Sequence, residues 1–167
     1  MNTSSLVLAF SGISPSAKLD TPVWLNDYQA GTRQAAAQKK PLAVFLAPGV
    51  NGWRKVGQDN RLSPETQRIL ASRYVCVHID TALAEGRRLA RAFDIPSGLG
   101  IVISDRRAQV QAFSHEGELT AAKMVRYLTR YGASDYVVFT TETNPPGHPE
   151  PTYVPVQTYR LPAGRSC

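Results

Sequence analysis

The feature that most constrains the fold is a run of five apolar residues, Leu42-Ala43-Val44-Phe45-Leu46, which follows Lys39-Lys40-Pro41. Polar and apolar residues do not alternate here, so neither face of the segment is suited to contact with water. A short, wholly apolar run is typical of a strand that is covered on both faces. It predicts a central strand of a sheet.

The segments on either side of this strand predict helices. Segment 24–38 predicts a first helix, with Asn26 or Asp27 as its N-cap, that ends before Pro41. After the polar, glycine-containing segment 47–62, Ser63 supplies a capping hydroxyl before Pro64 at the first helical position, which predicts a helix over about 64–72. Helices therefore flank the central strand along the chain.

The second half of the chain predicts two more helices and three strands. Segment 74–79 is rich in β-forming residues and predicts a strand with Val75, Val77 and Ile79 on one face and Cys76 and His78 on the other. Helical spacing over 83–93 predicts a basic helix that ends before Pro96. Segments 101–104 and 110–114 predict a β-hairpin, and segment 119–131 predicts a last helix.

This order of elements predicts a mixed α/β fold, with parallel pairing in the early crossovers and antiparallel pairing in the late hairpin. The predicted organisation is an N-terminal extension (1–20), one folded domain (21–133) and a Pro-rich C-terminal extension (134–167), since six prolines occur from Asn144 onward. Segment 136–141 predicts an additional edge strand. The length of 167 residues, with 43% hydrophobic positions, suits a single core.

The net charge of +6 raises the question of an anionic partner. Five arginines, on the predicted third helix and in the predicted hairpin, are candidates for a positive patch: Arg87, Arg88, Arg91, Arg106 and Arg107. No nucleic-acid motif and no interleaved aromatic residues accompany them, so a solvated basic surface is favoured over a nucleic-acid interface. A basic adaptor for nucleic acid or acidic proteins is the weaker alternative.

The chain has two cysteines, Cys76 and Cys167, too far apart in sequence for a Cys-x-x-Cys pair or a clustered metal site. Cys76, in a strand, is interpreted as a buried, inert thiol, and Cys167 as an exposed terminal one. His78 and His115 have Asp80 and Glu116 nearby in sequence, but adjacency on a strand does not form a dyad. No catalytic residue, cofactor or metal site is predicted.

The N-terminal extension bears on localisation. Its apolar run Leu6-Val7-Leu8-Ala9-Phe10 and the small residues after it resemble a secretory signal, but the run is short and no Lys or Arg precedes Lys18. A cytoplasmic location is favoured, with export as the alternative. The sequence has no stretch near the roughly 20 apolar residues that cross a bilayer.

One family shares several of these features. Trp24, an alanine-rich helix, Lys40-Pro41 and the apolar strand resemble the opening of thioredoxin-like domains, and the later segments extend the resemblance over about 24–131. The resemblance implies a thioredoxin-like fold, with a mixed central sheet flanked by helices. It also places the family's Trp-Cys-x-x-Cys-Lys redox loop directly after the apolar strand.

The redox loop differs from the family pattern. The corresponding residues are Gly49-Val50-Asn51-Gly52-Trp53-Arg54, so Val50 and Trp53 take the positions of the two cysteines. A dithiol reductase needs an attacking thiolate and a resolving thiol, which neither valine nor tryptophan supplies. Two roles are open for Trp53: it anchors a partner, or it folds inward to fill the vacated volume.

The family's cis-proline has two candidate positions here. The family's Ile-Pro-Thr pattern selects Pro96, before Ser97, whereas counting back from Ile101 selects Leu99. With a cis peptide bond before Pro96, the preceding backbone would offer edge hydrogen bonds to an extended peptide. With Leu99 as the match, that feature is lost.

Taken together, these features predict a redox-inactive thioredoxin-like protein that binds another protein or an extended peptide. The predicted contact surface comprises segments 48–55 and 96–100, with no cofactor. The alternative is a thiol-disulfide oxidoreductase that uses Cys167, with or without Cys76, and requires the C-terminal tail to fold back.

Overall fold

The structure is a computed structural model that describes residues 21–133 and the two-residue segment 142–143. Four helices and six strands follow one another along the chain: β1 (Trp24–Leu25), α1 (Tyr28–Gln38), β2 (Leu42–Ala47), α2 (Pro64–Arg73), β3 (Val75–Asp80), α3 (Ala84–Ala92), β4 (Gly100–Ser104), β5 (Gln111–Glu116), α4 (Ala121–Tyr131) and β6 (Glu142–Thr143). Two short 3-10 turns, Gly52–Val56 and Gln58–Asn60, lie between β2 and α2. The predicted N-terminal extension, most of the Pro-rich tail and the predicted edge strand over 136–141 lie outside the described residues.

The strands form one mixed sheet in the order β1-β3-β2-β4-β5-β6. β3 is parallel to both β1 and β2, whereas β4 is antiparallel to β2 and β5. The two-residue β6 runs parallel to β5. The predicted change from parallel crossovers to an antiparallel hairpin is therefore confirmed.

The sheet separates two apolar clusters, one on each face. β2 is buried along its whole length, which confirms it as the central strand. Residues of α2 and α4 pack with Phe45 and Cys76 on one face. Residues of α1 and α3 pack with Val75, Val77 and Ile79 on the other. The predicted division of β3 between two faces is thus confirmed, and the sheet has helices on both sides.

Side chains at the predicted caps fix the helix starts. Oδ1 of Asp27 accepts hydrogen bonds from the backbone N–H groups of Gln29 and Ala30, at 2.8 and 3.1 Å. The Ser63 hydroxyl accepts from the N–H of Thr66 at 3.1 Å, ahead of Pro64 at the first position of α2. Such caps satisfy backbone donors that have no partner inside the helix.

Several boundaries differ from the sequence prediction by a few residues, and two of the differences have a visible cause. Trp24 lies in β1 and not in the first helix, because it pairs with Cys76 and its ring packs edge-on against Phe45. β5 begins at Gln111, one residue later than predicted, because the Asp105 carboxylate holds the N–H groups of Gln109 and Val110 in the hairpin turn.

Within the described residues, no helix is both long and apolar enough to cross a bilayer.

Candidate functional site

Four connections meet at one edge of the sheet: segment 48–63 after β2, segment 81–83 after β3, segment 93–99 before β4 and segment 117–120 after β5. The strand register brings them together, because Ala47 pairs with Asp80, Leu46 with Gly100, and Gly100 with Glu116. This carboxyl edge of the parallel strands contains both segments of the predicted contact surface.

Asp80, the last residue of β3, joins two of these connections. Its Oδ1 accepts hydrogen bonds from the N–H of Gly49 at 2.7 Å and from the N–H of Ala82 at 2.9 Å. These two bonds lower the pKa of the Asp80 carboxyl below its ordinary value, because they stabilise the ionised form. Asp80 is therefore a carboxylate at neutral pH and fixes the start of the segment after β2 against the end of β3.

Further hydrogen bonds link the other connections into a closed ring. The Thr81 hydroxyl donates to the carbonyl of Gly98 at 2.8 Å, and the N–H of Ser97 donates to Oε1 of Glu116 at 2.8 Å. Hydrogen bonds from Ser97 to the Glu116 carboxylate lower the pKa of that group. The bond from the Ser97 side chain has the larger effect, and the bond from its backbone N–H has the smaller one. The remaining links are Gly117 N–H to Leu99 O, Leu119 N–H to Val56 O, and Gln58 N–H to Leu119 O.

Residues 48–55, hereafter the contact loop, follow β2, where the sequence resemblance predicts a redox loop. Val50 is 82% exposed at the loop tip and Asn51 is also exposed, whereas Gly52 is buried. Trp53 is half-buried and stacks on Trp24 with ring centroids 4.7 Å apart. Trp53 thus packs partly inward, in line with one of its two predicted roles, and Val50 is the most exposed apolar side chain of the loop.

Two basic residues complete the contact loop. The guanidinium of Arg54 lies over the Trp53 ring, 5.0 Å from its centroid. The Lys55 ammonium donates to the carbonyl of Pro48 at 3.0 Å. Arg54 therefore covers the outer face of the stacked tryptophans, and Lys55 closes the base of the loop.

A buried histidine lies beneath the loop. His78 is 3% exposed, and its Nε2 is 3.3 Å from the carbonyl oxygen of Ala47. A Cβ at Gly52 would lie only 2.8 Å from that oxygen and 3.0 Å from Nε2, so this position requires glycine. Burial lowers the pKa of His78 below its ordinary value, which keeps the ring neutral at pH 7.

Both histidines place Nε2 near a backbone carbonyl oxygen. Nε2 of His78 contacts a backbone carbonyl, and Nε2 of His115 lies 3.3 Å from the carbonyl oxygen of Glu118. The carboxylates of Asp80 and Glu116 instead accept from backbone N–H groups. The two carboxylates that lie near the histidines in sequence therefore hold the backbone of neighbouring loops in place.

The thiol of Cys76 is buried in the core. Cys76 is 2% exposed, and burial raises its pKa to about 12, so very little thiolate exists at neutral pH. Its Sγ is 3.9 Å from the carbonyl oxygen of Leu70. Cys167, its predicted redox companion, lies outside the described residues.

The described backbone contains no cis peptide bond, so the bond before Pro96, one of the two candidate positions for the family's cis-proline, is trans. Pro96 lies in a turn that is closed by a 3.0 Å hydrogen bond from the N–H of Gly98 to the carbonyl of Ile95. Proline suits the second position of such a turn without a cis bond. The other candidate, Leu99, uses its carbonyl to bind Gly117, and its N–H lies 3.3 Å from the Ser97 hydroxyl.

The predicted arginine patch is divided between two ends of the sheet. The guanidinium of Arg87 donates to the carbonyl of Ala82, at the carboxyl edge. Arg106 lies in the hairpin turn at the opposite edge, where it donates to the carbonyls of Lys39 and Gly132. These two arginines therefore do not contribute to one local surface.

Sequence analysis did not identify Leu83 as part of this edge. Leu83 is 63% exposed, although its N–H is held by the carbonyl of Asp80 at 3.2 Å. It borders a groove of about 480 Å³ between the starts of α1 and α3, which Asp27, Tyr28 and Glu85 also line. In the sequence Leu83 is only the first position of the predicted helix over 83–93, and its exposure is visible in the structure alone.

No three His, Cys, Asp or Glu side chains within residues 21–133 cluster so that they could hold a metal ion. Comparison with known proteins finds no matching family model and no matching curated protein.

Proposed function

We propose that this chain contains a redox-inactive thioredoxin-like domain that binds an extended peptide or a protein segment at the carboxyl edge of its sheet. The order of helices and strands supports the family assignment, since it follows the order expected from the resemblance. The contact loop also lies where the family's redox loop is expected, between an apolar central strand and α2.

The observation that carries the proposal is the state of Val50. It occupies the position of the attacking cysteine, is 82% exposed, and follows a residue whose N–H is bound by Asp80. An apolar side chain on a backbone that is already fixed loses little conformational freedom on contact with a partner, which lowers the entropy cost of binding. The sulfur chemistry is lost, and a preorganised apolar contact remains.

Leu83 extends this contact. Asp80 binds the N–H groups of Gly49 and Ala82, the chain neighbours of Val50 and Leu83, so one carboxylate fixes the backbone beside both exposed apolar residues. The groove next to Leu83 offers a recess for a partner side chain. Ligand surfaces of this kind combine apolar contacts with a few fixed polar groups.

The test is a selection of peptides from a displayed random library on the immobilised full chain, followed by affinity measurements on Val50→Asp. A charge at the centre of an apolar contact should weaken binding at least about tenfold, or about 1.4 kcal/mol. Val23→Asp is the matched control, because Val23 is 79% exposed and precedes β1 at the other end of the sheet. Equal affinity for the two variants would contradict the proposal. Trp53→Ala is less informative, since it also removes a packing contact.

A further inference from the structure

His78 is a buried titratable group whose surroundings connect it to the contact loop. Its Nε2 faces the carbonyl of Ala47, the residue directly before the loop, and the backbone of Gly52 packs against the same atoms. The imidazole therefore lies beneath the loop, in contact with the backbone at its start and near its middle.

Asp80 lies on the same face of β3, because alternate residues of a strand point to the same side. It interacts electrostatically with His78, while its Oδ1 holds the N–H of Gly49 at 2.7 Å. The carboxylate that fixes the contact loop is thus the neighbouring anion of the buried imidazole.

Few other charges face this position among the described residues. On β3, the Cys76 thiol is neutral, and the register partner of His78 on β2 is Phe45. From the loop, Lys55 interacts with the Asp80 carboxylate while its ammonium binds the carbonyl of Pro48. A proton added to His78 therefore has Asp80 as its counter-charge, and Lys55 is a second cation that interacts with the same carboxylate.

We propose that protonation of His78 under mildly acidic conditions frees the contact loop from Asp80 and thereby weakens peptide binding. A neutral imidazole needs only its bond to Ala47, but a buried imidazolium must gain an anion or water. It gains the anion by drawing the Asp80 carboxylate from Gly49, and it gains water by displacing the loop. This inference rests on the proposed binding function and assigns its regulation.

The pH range follows from the burial of His78. Because its pKa is lower in the folded than in the unfolded protein, the unfolded state binds the proton more readily. The stability that depends on a neutral His78 is therefore fully present above the ordinary histidine pKa. It is lost as the pH falls from there through the lower pKa of the folded state. The change in the loop should follow the same transition.

The test is a titration of the isotope-labelled full chain by NMR between about pH 7.5 and 5, a range that spans histidine titration. We expect the Gly49 amide resonance and the His78 ring to change with one common midpoint. The substitution His78→Gln keeps a donor for Ala47 and should abolish the pH transition of the Gly49 amide resonance. If His78→Gln does not fold, His78→Asn takes its place. His115→Gln is the control that should retain the transition. A Gly49 transition that persists without His78, or that is absent from the natural chain, would overturn the inference.

Peptides selected at neutral pH provide the functional arm. Their affinity for the natural chain should fall at least about tenfold on acidification, with a smaller change for His78→Gln. Val50-dependent binding that does not change with pH would overturn this inference and leave the proposed function standing. If no peptide shows Val50-dependent binding at neutral pH, the proposed function fails, and the regulation of binding inferred here fails with it.

Discussion

Replacing Phe45 with alanine should lower the free energy of unfolding by about 3–5 kcal/mol, the range for large aromatic residues in a well-packed core. Phe45 is fully buried in the central strand, and Trp24 packs edge-on against it with ring centroids 5.0 Å apart. Trp24 in turn stacks on Trp53 of the contact loop. The loss should therefore appear both in urea unfolding and in the near-ultraviolet circular dichroism of the tryptophans.

Phe93→Ala is the matched control for this prediction. Phe93 is half-buried and packs edge-on against Tyr28 on the opposite face of the sheet, with no link to the tryptophan stack. It should cost less stability and leave the tryptophan signal unchanged. Equal losses from the two variants would show that the stack on Phe45 does not couple the core to the contact loop.

Gly86→Ala should destabilise the protein by about 1–3 kcal/mol, the usual cost of inserting a methyl group where there is no space. Helix propensity alone predicts the opposite sign, since alanine is favoured over glycine inside a helix by about 1 kcal/mol. A Cβ at Gly86, however, would overlap the carbonyl oxygen of Asp80. Relief of this overlap requires α3 to move away from the end of β3, beside the carboxylate that holds the contact loop.

Thermal or urea unfolding measures the sign of this effect directly. Ala92→Gly is its control, because Ala92 is exposed at the C-terminal end of the same helix and should lose no more than the interior propensity difference of about 1 kcal/mol. A stabilised Gly86→Ala protein would contradict the close approach of α3 to β3.

Much of the fold could be predicted because local patterns and burial agree. The apolar segment 42–46 has no face suited to water, and alternation in β3 assigns Val77 and Cys76 to opposite faces. The caps at Asp27 and Ser63 are short-range hydrogen bonds within three residues, so their spacing is visible in the sequence.

The features missed by sequence reasoning depend on contacts between distant segments. β1 comprises two residues, too few for a period, and it exists because Trp24 pairs with Cys76 far along the chain. The ring of loop contacts uses backbone groups such as those of Gly49 and Gly98, which every residue carries. The inward position of Trp53 likewise depends on Trp24, its distant stacking partner.

In the proposed function, the contact loop binds a partner and carries out no sulfur chemistry. The most direct test is an assay in which the full chain, with a chemical reductant, is offered a disulfide-bonded test protein. Because segment 48–55 contains no cysteine and Cys76 is buried, we expect no turnover above the reductant alone. Cys76→Ser and Cys167→Ser should leave that result unchanged. Catalytic turnover that either substitution abolishes would contradict the proposed function and assign the chain to the thiol-dependent oxidoreductases.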